Sequence, residues 1–411
     1  MHITTPWYTM ITSWDAVIQQ AVGVAALGIA VRLVIRYYYP KDALPHIPTH
    51  SFEGDNSRRR YLTDLKSLLE SGYRTYNKAG KAFKVLIPVG GYSVTHRVIL
   101  PKDHLEEIKH RSNDVFSWQL ASRVIFAQDY TGAPDRGPWS GKALRVGIHQ
   151  NLGAITNTLQ RRINDYFDTH LPQQKGQIAS VELMAFFVPV ITYVTNALLV
   201  PEALSSDPVW VKQTSEFAVN RYGAADDVRK WPPFLSALAA PFIPSVGRLR
   251  QQREYVMEKM RPIYEDLKAQ GLLAKKGGRK GSFGYEWLWG GAPDDVSLRD
   301  FSDTMMRTLI AAIHTTAKTI SVAFVDLLTR PDLVEELKAE AREAIDGDGG
   351  VDLEKLIKLD CFLKESQRLS PVFLCKSLFY LCLASNTSSP LLRRRKARIG
   401  AVILICNGQL R

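Results

Sequence analysis

LRDFSDTMMRTLIAAIHTTAKTISVAFVDLLT, residues 298–329, is the stretch on which the fold turns. Its apolar residues recur at three- and four-residue intervals, which predicts one long, largely apolar helix. In its middle, AAIHTTAKT (311–319) sets His314, Thr315 and Thr316 side by side in an otherwise apolar run. An imidazole and two hydroxyls placed there need hydrogen-bond partners inside a core. The plain reading is that the threonines bond back to carbonyls three or four residues earlier and that the histidine is a satisfied core residue. The functional reading is a break in the helix ladder, where a hydroxyl and a titratable ring pass protons to something bound beside the helix.

Toward the C-terminus, helical spacing marks 331–345 and 352–369, and the second ends in KESQRLSP (364–371), stopped by Ser370-Pro371. Glu365 and Arg368 stand three residues apart on one helical face. Alone, such a pair is a common surface feature. Toward the N-terminus, 247–270, 206–221, 179–199 and 140–170 show helical spacing or caps, as do the charged patterns at 102–111 and 58–79. The β-rich runs Ala82–Val89 and Tyr92–Leu100, separated by Gly90-Gly91, predict a hairpin. Trp139-Ser-Gly-Lys-Ala-Leu-Arg145 leads into an amphipathic helix, where the arginine either pairs at the surface or holds an anionic group such as a carboxylate. The basic, glycine-rich stretch AKKGGRKGSFG (274–284) reads as a solvated loop joining two helices. The fold class is mainly α with a small β part.

A 20-residue run, Ala16–Ile35, has only Gln19, Gln20 and Arg32 as strongly polar members, so as a helix it spans about 30 Å, one bilayer core. Trp7, Tyr8 and Trp14 precede it and Tyr37, Tyr38 and Tyr39 follow, as interfacial aromatics do. Arg32, Arg36 and Lys41 all fall on the downstream side, which predicts a single pass with the body in the cytosol. A cleaved signal peptide would carry a positive n-region and a small-residue cleavage site, and neither is present. Pro40, Pro45 and Pro48 then mark a stiff spacer. The expected organisation is an anchor over 1–39, a proline-rich hinge over 40–50, a body over 51–374 and an atypical tail over 375–411.

The 411 residues are 45% hydrophobic and 23% charged, with 27 glycines and 21 prolines, which excludes collagen-like and wholly disordered chains. A formal charge of +12 favours an acidic partner surface. The charges show no aromatic interleaving, so a nucleic acid is not expected. Cys361, Cys375, Cys382 and Cys406 match no zinc or redox spacing; no metal-ligand cluster and no disulfide framework is expected, and the thiols read as reduced.

Taken in order, an anchor and proline hinge, an early hairpin, an arginine on an early helix, AAIHTT in a long central helix and KESQRLSP beyond it resemble the microsomal cytochrome P-450 monooxygenases. The WPPFL run at 231–235 is similar to fungal secondary-metabolism members. The resemblance implies a P-450-like fold on an N-terminal transmembrane helix in the endoplasmic reticulum membrane, haem b, and electrons from an NADPH-cytochrome reductase. It implies oxygen insertion into an apolar, terpenoid-like small molecule. By position it implies Thr315 as the oxygen-activating alcohol, His314 where the family more often has an acid, Arg145 as a haem-propionate ligand, and Glu365 with Arg368 as the core-stabilising pair. The family pattern continues after its E-x-x-R helix through a β segment, a meander and F-x-x-G-x-x-x-C-x-G, whose cysteine binds the iron. Here Cys406-Asn407-Gly408 gives only C-x-G, with Val402 at the glycine position, so the haem-ligand segment is expected to be lost or replaced and the haem not stably bound. The alternative is a non-catalytic, membrane-anchored remnant without haem.

Overall fold

The computed structural model describes residues 7–38, 44–88, 94–111, 116–132, 137, 139–172, 180–232, 235–270, 283–345, 350–370, 378–381 and 402–405. Helix α1 (Trp7–Tyr38) is followed by α2 (Arg58–Thr75), strands β1 (Phe83–Pro88) and β2 (Val94–Leu100), α3 (Leu105–Lys109), strand β3 (Phe116–Ser117), α4 (Trp118–Ile125) and α5 (Gln128–Thr131). Next come α6 (Ser140–Gln150), α7 (Leu152–His170), α8 (Leu183–Leu199), α9 (Glu202–Ser205), α10 (Pro208–Arg229), α11 (Ser236–Ala239) and α12 (Pro244–Ala269). After them lie α13 (Gly284–Gly291), α14 (Leu298–Leu328), α15 (Pro331–Ala344), α16 (Ile357–Leu369) and strands β4 (Leu378–Leu381) and β5 (Val402–Ile405).

The 298–329 pattern becomes α14, started by Ser297, whose hydroxyl accepts the Asp300 amide at 3.0 Å. Its N-terminal half buries Phe301, Met305, Leu309 and Ile313, and α8, α10 and α12 pack along it. α14 is long and apolar enough to cross a membrane, yet its stripe is the centre of the main core. The helix runs unbroken from Leu298 to Leu328, so the break that the functional reading of His314–Thr316 supposed is not there, and the plain reading of back-bonding within an intact helix fits Thr315.

Other boundaries differ for local reasons. The 140–170 pattern splits at Asn151, whose side-chain amide donates to Gly147 O at 2.8 Å and closes α6 before α7 begins. The 206–221 pattern runs on to Arg229, because Ala224, Ala225 and Val228 keep a buried face going. In the hinge, the described residues from Leu44 onward are docked against the sheet: Lys84 N donates to Pro48 O at 2.9 Å and His50 N to Lys84 O at 2.8 Å. Lys84 itself is buried, its Nζ donating to Leu44 O at 2.8 Å. The glycine-rich stretch at 271–282 lies outside the described residues.

The sheet has five strands in the order β1-β2-β5-β4-β3. β1 and β2 form the expected antiparallel hairpin, Phe83 opposite Ile99. Alternation along β2 sends Ile99 to the cluster under α2 and Val98 to the cluster with Ile108 of α3. The atypical tail supplies the middle of this sheet: β5 pairs parallel with β2 and antiparallel with β4. Its LFYL and VILI runs are the aromatic and β-branched composition that a pleated ladder accepts.

One buried polar network joins α8 to α10. Trp210 Nε1 donates to Asn196 Oδ1 at 2.7 Å, and Asn196 Nδ2 donates to Thr192 O at 2.8 Å. Trp210→Ala should cost about 3–5 kcal/mol through the cavity and the orphaned acceptor. Trp210→Phe should cost about 1–3 kcal/mol for the acceptor alone. Chemical denaturation measures both, and a neutral Trp210→Phe would mean the indole bond contributes nothing.

Candidate functional site

The face of α14 that carries Thr304, Thr308, Ala311, Thr315 and Thr319 at three- and four-residue steps changes character along its length. Thr304 and Thr308 are buried, Ala311 is open, and Thr315 and Thr319 are half-buried. Three hydroxyls turn back on the helix: Thr308 Oγ1 donates to Thr304 O at 2.9 Å, Thr315 Oγ1 to Ala311 O at 2.5 Å, and Thr319 Oγ1 to Thr315 O at 2.8 Å. A threonine hydroxyl exchanges such a bond for an outside partner by rotating χ1 between its two allowed wells. Because Ala311 offers only a methyl group, the space beside Thr315 is open for that partner.

His314 looks the other way. Its Nε2 lies 3.0 Å from Ser215 O on α10. A carbonyl only accepts, so Nε2 carries the proton and, in the neutral ring, Nδ1 keeps the lone pair. Thr316 is exposed.

Glu365 and Arg368 form a two-bond fork on α16, Nε donating to Oε2 at 2.7 Å and Nη2 to Oε1 at 2.5 Å. The guanidinium holds the Glu365 carboxyl below its ordinary range, and the same bond raises Arg368. Their side chains are 55% and 41% exposed, so the pair adds little to stability. What seats α16 is different. The Lys358 and Leu359 amides donate to the Glu340 carboxylate of α15 at 2.7 and 2.9 Å, and Ser366 Oγ donates to Asp326 Oδ2 of α14 at 2.5 Å.

Arg145 is exposed on α6. That helix is pressed against α13: a Cβ added at Gly147 would lie 2.3 Å from Trp287 Cγ, and one at Gly291 would lie 2.4 Å from Ala143 Cβ. With Ala143 and Gly147 turned inward, Arg145 projects to solvent. α13 in turn meets α14, so two helix contacts separate Arg145 from Thr315.

Comparison with known proteins fits this layout. The cytochrome P450 family model matches residues 250–376. The pyrichalasin C-7 hydroxylase of Pyricularia grisea is 30% identical over 366 residues, covering 85% of this chain and 70% of the relative. The chain belongs to the cytochrome P450 family. The P450 monooxygenase ccsG of Aspergillus clavatus is 28% identical over 347 residues, 83% of this chain and 68% of that one. Among solved structures, retinoic acid bound cyanobacterial CYP120A1 matches with a TM-score of 0.57 at 15% identity, covering 87% of this chain and 76% of the other, a likeness of fold.

In P450s a cysteine thiolate holds the haem iron. Among the described residues of this P450 the thiol is Cys361, exposed on α16 one turn before Glu365. Cys375, Cys382 and Cys406 lie outside the described residues. On donor chemistry the described set does not fit a haem-thiolate site. No group of three His, Cys, Asp or Glu side chains that could hold another metal gathers among the described residues either. Sequence reasoning passed over Asp303, a buried carboxylate on the apolar stripe of α14, held by Arg253 of α12. Its position in that stripe was the available signal, since a buried charge needs a partner.

The geometry separates two kinds of residue. Thr315→Val should move stability by no more than about 0.5 kcal/mol, because it removes only a back-bond within one helix. His314→Phe should cost about 0.5–1.5 kcal/mol, because it removes a bond between two helices. Urea denaturation of the full chain reads both. A loss above about 2 kcal/mol for Thr315→Val would make its hydroxyl a fold-holding group.

Proposed function

We propose that this P450 inserts one oxygen atom from O2 into a C–H bond of an apolar, terpenoid-like secondary metabolite, the second oxygen leaving as water with two electrons and two protons. The observation that carries this reading is the alignment of 85% of the chain with a protein named as a hydroxylase. In this family haem supplies the oxidising chemistry and an NADPH-cytochrome reductase the electrons. Thr315, turning from Ala311 O toward the open face, donates a proton there. His314 takes part as a relay through Nδ1, since Nε2 is engaged on α10. Arg145, exposed and cationic, suits a haem propionate.

Anchoring by α1 in the endoplasmic reticulum membrane belongs to the same proposal. The described side chains from Val17 to Arg32 are exposed, Val24 at 71%, which suits a lipid surrounding. The full chain should then resist extraction by alkaline carbonate, and release would overturn the anchor.

One observation favours a second reading, a membrane-anchored protein without catalysis: the described residues offer no thiolate to an iron beside Thr315. The reduced, carbon-monoxide-bound spectrum of the full chain expressed with excess haem precursor separates the two. The catalytic reading requires a thiolate Soret band, and the second reading requires its absence. A clear band that Cys406→Ser abolishes would establish the catalytic reading and identify the ligand.

A further inference from the structure

Strand β1 is the outer strand of the sheet, and its free edge is covered by the hinge. Thr49 bridges Lys84 in parallel, through the main-chain bonds that join Pro48, Lys84 and His50. The stretch that does the covering is short. Leu44 and Ile47 are half-buried against the small cluster of Val98 and Ile108, whereas Phe52 is 8% exposed in the cluster under α2 and fixes the far end. Residues 44–50 therefore lie on the core rather than in it.

The side chain that seats this stretch is His50. Its Nε2 lies 2.6 Å from Ser71 Oγ on α2, and that hydroxyl gives its own proton to Leu68 O at 3.0 Å. A serine has one hydroxyl proton, so Nε2 donates and, in the neutral ring, Nδ1 holds the lone pair. The ring stands roughly perpendicular to Tyr76 and Phe83, with centroids 5.7 and 5.8 Å away. Gly72 makes room for this arrangement: a Cβ there would lie 2.4 Å from Phe83 Cε2 and 3.0 Å from His50 Cδ2.

The titratable residues that meet the ring are Tyr76, at the C-cap of α2, and Lys84 of β1. The Lys84 side chain leaves the opposite face of the strand from Phe83 and reaches Leu44 O. On the hinge itself, His46 and Glu53 are exposed. Among the described residues no carboxylate is paired with His50, and burial holds its pKa below the ordinary imidazole value. Docking and protonation are thus linked. The docked ring takes its second proton less readily than the released one, so docking is at full strength above about pH 6.5 and weakens as the pH falls below it. Release also returns the Lys84 ammonium, 2% exposed when docked, to water.

We propose that residues 44–50 are a proton-operated clasp: uptake of a second proton by His50 frees them from β1 and α2, and the body gains freedom to swing on its anchor. The last clause rests on the membrane-anchor reading; the clasp itself does not.

Hydrogen exchange on the full chain in detergent micelles, at about pH 7.5 and about pH 5.5 and corrected for the pH dependence of intrinsic exchange, tests the clasp. Protection of the Lys84 amide and of peptides covering 46–50 should fall about two- to fivefold at the lower pH, while the α8 and α10 core peptides keep theirs. His50→Gln retains an amide donor for Ser71 and has nothing to titrate, so its protection should be the same at both pH values. His46→Gln should behave as the wild type. An unchanged wild type, or a loss that persists in His50→Gln, would overturn the clasp. In phosphatidylcholine vesicles the rotational anisotropy of the body should decay faster at the lower pH in the wild type and not in His50→Gln, and an unchanged decay would overturn the swing. If the full chain does not bind the vesicles, the anchor reading fails, while the exchange experiment still decides the clasp.

Discussion

Burial of α14 is the constraint on which the remaining structure depends. A helix whose N-terminal half presents Phe301, Met305, Leu309 and Ile313 must be enclosed by other apolar faces, and α8, α10 and α12 do this. Enclosure brings polar consequences with it. Asp303, Thr304 and Thr308 go inside with the apolar stripe, and each has a partner: Arg253, the Gly137 amide and Thr304 O. Toward its C-terminal half the helix is less covered, and there Ala311 and Thr316 come to the surface. The candidate chemistry lies where the packing thins.

Much of this was legible in the residues. Apolar spacing located most of the long helices, though it stopped α10 eight residues short and ran α6 and α7 together, and Gly90-Gly91 located the hairpin, because both signals act over short stretches of chain. Thr315 of AAIHTT could be read correctly as a back-bonding group for the same reason. Short elements such as α4, α5 and α13 escaped, since helices of four to eight residues rest on tertiary contact rather than on their own periodicity. The strands β4 and β5 escaped because LFYL and VILI, lifted out of the sheet, are only apolar runs.

At the site, residue types were readable and directions were not. His314 and Thr315 are consecutive, so on a helix they diverge by about 100°. That divergence gives one to α10 and the other to the open face. Arg145 likewise owes its outward position to Gly147 and Gly291, whose missing side chains leave room for Trp287 of α13 and Ala143 of α6. Arg253 carried no local sign of its role, which depends on Asp303, 50 positions later in the chain.

The parallel pairing of β2 with β5 has a consequence during synthesis. Arg97 sits opposite Val402, so the hairpin leaves the ribosome roughly 300 residues before the strand that covers its edge. Through that interval β2 carries unpaired amides and carbonyls along an apolar strand, a template for pairing with any neighbouring chain. The nascent protein needs that edge shielded, as a chaperone can do, until β5 is made.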